Sequence, residues 1–445
     1  MELWMKRLLA GVNLSDRNSD PTLYENVIER NTRAVVWISL AAVLLRRWFN
    51  ERCKKMLVRI ASAGKGADGS YTRGCYSKAY FEAVGSVKKV MEELGMDVRE
   101  DGAGNIHGVL PGSNPKLKHL LMGSHLDTVP QGGLFDGAYG VAGALEVIRR
   151  IRKNGYIPQH TLEIYGFNGE ESNPLGGTFG SRTIAGLVDV KQPGFTEALE
   201  KYGHTPDEIL ACRRDFSDAR CYLELHIEQG DHLFNDHTDI GVVSGIVGIV
   251  RYRVTALGKS NHAGTTMMRN RQDAMVGMAK LIAAGDAICR EIDENLVFTV
   301  GTIQCWPGSE NVIPGKVECT FEMRHMDGKM TDLLIAKIQE AARDIENCQF
   351  TFEKRVDKGS VPCDADLMKA FEKAAGESGV SAVVMPSGAG HDANAIGHRI
   401  PVGMIFVPSR DGVSHCKEEW TDEADLEHGV EVLYRTVLDL DGKIN

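Results

Sequence analysis

Four short apolar runs, each leading into a histidine or an acid, constrain this chain more than any other feature. They are Leu120 to Leu126 (LLMGSHL), Leu162 to Phe167, Cys221 to Ile227 and Val402 to Val407. Each is too short for a buried helix and predicts a buried strand. Between the first two, Val141, Leu145, Ile148 and Ile151 recur at helical spacing over Gly140 to Lys153, closed by Asn154-Gly155. Strands alternating with helices predict an α/β fold with a largely parallel sheet flanked by helices. The middle of the chain has another rhythm. Val250, Tyr252, Val254 and Ala256 alternate with Arg251, Arg253 and Thr255, the pattern of a half-buried strand. A helix from Gln272 to about Ile292 follows, then strands at Val297 to Cys305 and Val317 to Met323, a helix from Thr331 to Ile345 and a strand from Gln349 to Val356. That order is β-α-β-β-α-β, the ferredoxin-like split βαβ. Lying between two α/β segments, it predicts an inserted domain over 245–362, with the principal domain formed by 49–244 and 363–445.

In open α/β sheets, sites form beyond the carboxyl ends of the strands. The first run ends in Ser124-His125-Leu126-Asp127, with Asp136 following in a glycine-flanked loop. The second ends in Asn168-Gly169-Glu170-Glu171, the third in His226-Ile227-Glu228-Gln229, and the fourth leads to Ser414-His415. Imidazoles with carboxylates suit zinc and its first-row neighbours. Two metals need a shared carboxylate, and Asp136 can bridge. One ion would take His125, Asp136 and His226; the other, Asp136, Glu171 and His415. Glu170 is then left unligated as a candidate catalytic base, and Asp127 is placed to orient the His125 imidazole. Each of these residues alone has an ordinary structural use; their coincidence at the strand ends of one sheet is what points to metal.

The inserted segment adds Asn261-His262-Ala263-Gly264-Thr265-Thr266, which could equally be a capping turn, and Asn311 in a Gly-Ser-Glu-Asn loop. Arg324 shares a strand face with Glu318, Thr320 and Glu322. It is either a surface ion pair or a planar fork for a substrate carboxylate. Ser387 to Asp392 (SGAGHD) is glycine-rich without the lysine of a phosphate loop, and predicts backbone packed close to a substrate. No serine-centred nucleophile elbow is present.

Composition narrows the partners. Among 445 residues, 51 Lys and Arg against 61 Asp and Glu give a net charge of −10, which argues against nucleic acid. The 10 cysteines form no C-x-x-C pair and predict free thiols in a reducing cytoplasm. Ala34 to Leu45 is apolar but falls short of the roughly 20 residues that span a bilayer. It predicts a helix packed on the body or on a partner rather than in a membrane. Residues 1–48 have no assigned role.

The blocks GSHLDTVPQGGLFDGAYGV, FNGEES, LELHIEQG, NHAGTT and SGAGHDA…VPSRDGVSH resemble the amidase, hydantoinase and carbamoylase family, dinuclear metallohydrolases related to aminoacylases and di-zinc exopeptidases. The likeness runs from about Asn50 to the C-terminus. It implies two divalent ions per subunit, Zn²⁺ first, with Mn²⁺, Co²⁺ or Ni²⁺ as alternatives. His125, Asp136, Glu171, His226 and His415 match the family's ligands and Glu170 its general base. A histidine at 226, where related peptidases carry a carboxylate, implies the amidohydrolase branch. Gln229, Arg251, His262, Asn311, Arg324 and Gly390 match substrate-contacting positions, with His262 also stabilising the oxyanion. The implied reaction is hydrolysis of the carbamoyl or ureido C–N bond of a small carboxylate, such as an N-carbamoyl-L-amino acid or allantoate. The inserted domain would act as lid and form a homodimer, with His262 and Asn311 reaching the partner's site. The alternatives are an N-acyl amino acid deacylase or dipeptidase, and a non-catalytic metal-dependent binding protein. The chain departs from the family at Met267, where a proline is usual.

Overall fold

The computed structural model describes residues 53–442. The apolar run at 34–45 and the 1–48 extension lie outside the described residues. Strands β1 (Asp97–Glu100), β2 (Ile106–Leu110), β3 (His119–His125), β4 (Leu162–Phe167), β5 (Ala219–Ile227) and β6 (Ile240–Ile246) precede the middle segment. That segment contributes β7 (Gly248–Leu257), β8 (Asn261–His262), β9 (Val297–Trp306), β10 (Val312–Ile313), β11 (Lys316–His325) and β12 (Gln349–Lys358). Strands β13 (Val361–Pro362), β14 (Ala382–Ser387) and β15 (Val402–Val407) follow.

The large sheet has nine strands in the order β1-β2-β4-β3-β5-β15-β6-β13, with β14 also on β6. Its centre is parallel: β3 pairs with β4 and β5, and β15 with β5. Antiparallel pairs lie towards its edges, β1 on β2, β2 on β4, β15 on β6 and β13 on β6. Helices α1 (Lys78–Glu93), α2 (Ala138–Lys153), α3 (Ala274–Ile292), α4 (Gly328–Arg343), α5 (Ala365–Ser378), α6 (Asp392–Ile396) and α7 (Glu423–Leu440) are the principal ones. The central strands are continuous hydrophobic runs because both faces are covered, as parallel sheets require. Leu120, Met122, Ile164, Leu223, Leu225 and Ile405 pack with Val141, Leu145 and Ile148 of α2 and Val430 and Leu433 of α7. On the other face Leu121, Tyr165, Tyr222 and Phe406 form a second core with Ile396 of α6.

Residues 248–358 build a separate four-stranded antiparallel sheet in the order β12-β7-β11-β9. One face alternates strictly: Val250, Tyr252, Val254 and Ala256 of β7 and Val317, Cys319, Phe321 and Met323 of β11 are buried beneath α3 and α4. Strand β9 is a free edge with exposed Val297 and Ile303. Helix α3 starts at Ala274 rather than Gln272, because the Asp273 carboxylate accepts from the amides of Met275 and Val276 and so fixes the N-cap. Thr265 and Thr266 cap no helix; the Thr266 hydroxyl instead donates to the His262 carbonyl within its own turn. Among the described residues no helix is long and apolar enough to cross a membrane.

Candidate active site

The carboxyl ends of β3, β4 and β5 and the loop after β15 converge. His125 closes β3 and His226 lies one residue from the end of β5, both buried, with ring centroids 5.8 Å apart. Asp136 sits between them at the start of α2. Its Oδ1 is 3.6 Å from His125 Nε2 and 3.2 Å from His226 Nε2, and its Oδ2 is 3.1 Å from His415 Nε2. His415 Nε2 is in turn 3.6 Å from Glu171 Oε1. Donor atoms of His125, Asp136 and His226 form one group within 4.8 Å, and those of Asp136, Glu171 and His415 another, with Asp136 in both.

The backbone is shaped around this cluster. Gly137 has φ +64°, and a Cβ there would lie 2.3 Å from the His125 ring, so only glycine lets the chain pass over the imidazole. Gln229 (φ +61°) and His415 (φ +58°) hold left-handed backbone without being glycine, and their side chains meet at 3.2 Å. Strain of roughly 1–3 kcal/mol per residue is retained where neighbouring structure enforces it, commonly at functional sites. The imidazoles are oriented from behind. His125 Nδ1 is 3.0 Å from the Asp127 carbonyl, and His226 Nδ1 is 2.8 Å from the Ile227 carbonyl, so each Nε2 faces Asp136. The Asp127 carboxylate lies 3.6 Å from His125 Nδ1, and each of its oxygens accepts a backbone amide, from Glu170 and Glu171, at 3.1 Å. It thereby holds Glu170 and Glu171 in register with His125.

These donors fit divalent ions. Asp127, Asp136, Glu170, Glu171 and Asp392 crowd one volume, and buried like charges are tolerated only when cations compensate them. Asp136 Oδ1 and Glu171 Oε1 are buried with no hydrogen-bond partner, although buried polar atoms are ordinarily satisfied. Burial, opposed by His125 and reinforced by Asp392 and Glu171, pushes the Glu170 carboxyl well above the usual carboxylate range. Burial and Asp136 push Glu171 up to about 7, and the hydrogen bond to Asp136 raises His415 to about 9.

Sequence reasoning passed over Glu419. This buried carboxylate accepts the amides of Phe135 (2.8 Å) and Asp136 (3.1 Å) on Oε1 and the Ser414 hydroxyl (2.8 Å) on Oε2. It ties the Asp136 loop to the His415 loop across more than 280 residues of sequence. His391 was also passed over; it stands edge-on to His226 at 4.6 Å and holds Ser387 Oγ at 2.8 Å.

The expected substrate contacts separate into two groups. Gln229 donates to Asp136 Oδ2 at 2.9 Å, and a Cβ on Gly390 would lie 3.9 Å from Glu170 Oε1, so both positions adjoin the cluster. Arg324 donates to the Gly388 carbonyl (2.7 Å) in the same glycine-rich loop, but two of its nitrogens engage Glu322, which also binds Arg251. His262 lies on the short β8–β10 ladder and Asn311 just before β10, where the Ala263 amide donates to the Asn311 carbonyl at 2.9 Å. Among the described residues both bond only within that local turn and loop.

Residues 121–439 match the model of peptidase family M20/M25/M40. The chain belongs to this family. It is 35% identical over 402 residues to the N-carbamoyl-L-amino acid amidohydrolase of Geobacillus stearothermophilus, covering 88% of this chain and 98% of that one. To the allantoate amidohydrolase of Bacillus subtilis it is 35% identical, over 84% and 93% of the two chains. A hydantoinase/carbamoylase family amidase from Burkholderia multivorans superimposes with a TM-score of 0.78 at 30% identity, covering 88% of this chain and 97% of that one. The mixed α/β fold is thus that of a family whose related members act on non-peptide C–N bonds, and the two donor clusters are its candidate metal-holding groups in this chain.

Proposed function

We propose that this chain is a dinuclear metal-dependent amidohydrolase that cleaves the carbamoyl or ureido C–N bond of a small carboxylate, such as an N-carbamoyl-L-amino acid or allantoate. The observation that carries the reading is the pair of donor triads sharing Asp136 while Glu170 stays outside both. His125, Asp136 and His226 would hold one ion, and Asp136, Glu171 and His415 the other. Zn²⁺ heads the candidates, with Mn²⁺, Co²⁺ and Ni²⁺ also suited to this mixed set. Bound there, divalent ions supply Lewis-acid polarisation of the carbonyl and a water of lowered pKa.

The chain's own residues do the rest. Glu170 takes the proton of the attacking water and returns it to the leaving nitrogen. Arg324, anchored on the Gly388 carbonyl, exchanges its Glu322 partner for the substrate carboxylate, with Gln229, Arg251 and Gly390 as further substrate contacts. His262 donates to the oxyanion and Asn311 to the carboxylate, both from the partner subunit in a homodimer. The exposed β9 edge, with Ile303 and Val297, supports pairing of two copies through the four-stranded sheet. In this reading the expected 245–362 segment, whose own sheet spans 248–358, is the ferredoxin-like lid and dimerisation domain, and 49–244 and 363–445 are the catalytic domain. Unpaired thiols among the described cysteines fit a cytoplasmic enzyme.

The test is ammonia release by metal-loaded protein from N-carbamoyl-L-amino acids, N-carbamoyl-β-alanine, allantoate and ureidoglycolate, with N-acyl amino acids and dipeptides alongside. Release from a ureido acid, abolished by chelator, is expected. Cleavage of acyl or peptide substrates alone would replace this reading with the deacylase one.

A further inference from the structure

At the opposite end of the large sheet lies a second cavity, of about 850 Å³, lined by Lys118, Arg213, Arg214, Arg220, Arg399 and the half-buried Phe216, among others. It lies where β3, β5 and β15 begin: Lys118 precedes β3, Ala219 opens β5, and Arg399 to Pro401 lead into β15. The carboxyl ends of β3 and β5 carry His125 and His226, so the cavity and the metal cluster are a strand length apart and cannot share a ligand.

Five cations around one cavity are unusual in a chain of net charge −10. Like charges held together cost stability unless something compensates them. Among the described residues carboxylates compensate just one of the five: Arg214 is ion-paired to Glu163 and Asp218 at 2.7 Å each. Asp215 is the sole acid in the lining, and its oxygens serve the Ser217 amide and hydroxyl. Lys118, Arg213, Arg220 and Arg399 meet no carboxylate in an ion pair among the described residues. Two guanidiniums are nonetheless fixed: Arg220 donates to the Leu440 carbonyl at 2.7 Å, and Arg399 to the Ala185 carbonyl at 2.6 Å. A guanidinium anchored along one edge keeps its remaining N–H groups preorganised for an anion, and its fork matches phosphate geometry. The volume suits a small metabolite rather than a lone ion.

We infer that this cavity is a binding site for a small molecule carrying two or more phosphoryl groups, held by Lys118, Arg213, Arg220 and Arg399. Isothermal titration of the metal-loaded full chain with pyrophosphate, ADP and orthophosphate tests it. Pyrophosphate and ADP are expected to bind more tightly than orthophosphate, with affinity falling as salt rises. Binding of ADP no tighter than pyrophosphate assigns recognition to the phosphates alone, whereas tighter ADP binding adds a contact from the nucleoside; both support the site. Arg213→Glu and Lys118→Ala alter exposed side chains that bond nothing else, so the fold is retained, and each should weaken binding at least tenfold. Equal binding by wild type and both variants would put the anion on the metal cluster and overturn the inference. So would absence of binding by all three anions at millimolar concentration.

Discussion

Removing Glu419 should weaken metal binding, although the residue belongs to neither donor triad. Glu419→Ala leaves the buried amides of Phe135 and Asp136 without their acceptor, at roughly 1–3 kcal/mol each, or about 2–6 kcal/mol together. The Ser414 hydroxyl can rotate to another partner and adds little. Part of that cost appears as lost global stability. The rest appears at the metals, because the freed amides belong to the loop carrying Asp136, which is common to both donor triads, and Ser414 adjoins His415. Loss of a partner behind a ligand typically costs about 10–100-fold in metal affinity, or roughly 1.4–2.8 kcal/mol. Glu419→Gln keeps one acceptor oxygen in nearly the same volume, so it should keep the amide bonds and lose less than the alanine variant. Gly133 supplies a further control: a Cβ there would sit 2.1 Å from Glu419 Oε1, so Gly133→Ala should push the carboxylate aside and resemble Glu419→Ala. The assay is competition for Zn²⁺ between apo-protein and a chromophoric chelator, with thermal melts of the same samples to separate stability from affinity. Unchanged affinity in Glu419→Ala, with a melt that reports a folded protein, would refute the reasoning.

Glu170→Gln should retain both metals by elemental analysis and lose about 10²–10⁴-fold in turnover, since it keeps the shape and removes the base; near-wild-type turnover would reassign the proton transfer. Asp136→Asn weakens the only oxygen donor shared by both triads, so metal content should fall at both positions, whereas Glu171→Gln should reduce one. Arg324→Lys replaces a planar fork by a point charge and should lower kcat/KM for carboxylate substrates by roughly 10–100-fold, mainly through KM; an unchanged KM would leave Arg324 as a partner of Glu322 alone. For pH, burial raises the Glu163 carboxyl, but bonds from His107 (2.8 Å), Arg214 (2.7 Å) and His119 (2.5 Å) outweigh it and hold the group well below the usual carboxylate range. A depressed folded-state value stabilises fully above the unfolded value of about 4.3 and is lost as pH falls through the folded one. Glu163→Gln should therefore melt well below wild type at neutral pH, with the gap closing in acid; a gap that is constant with pH would contradict this.

The parts of the site that were legible in the sequence share a physical reason. A strand buried on both faces must be apolar, so a polar residue at its carboxyl end stands out, as His125 and His226 do. The β-α-β-β-α-β order of the middle segment was legible for the matching reason: a sheet with one solvated face alternates strictly, and β7 and β11 do. Strands β1, β2, β6 and β14 and the two-residue β8, β10 and β13 were missed; β1 and β14 carry exposed side chains, β6 contains two glycines that weaken the pattern, and two residues are too few to show one. Glu419 was missed for a different reason. Its bonding partners are backbone amides, which carry no sequence signature, and they lie at positions 135 and 136, so the pairing exists only after the sheet brings the two loops together. His391 illustrates the intermediate case. Its glycine-rich block marked a close backbone approach, and Gly390 does face Glu170, but nothing local tells an imidazole that supports His226 from one that binds metal. A ligand is visible in sequence when the fold makes its position exceptional. The groups that aim the ligands are visible only once the chain has closed, which is why the Glu419 substitutions above probe the fold's contribution to the site more directly than removal of any ligand.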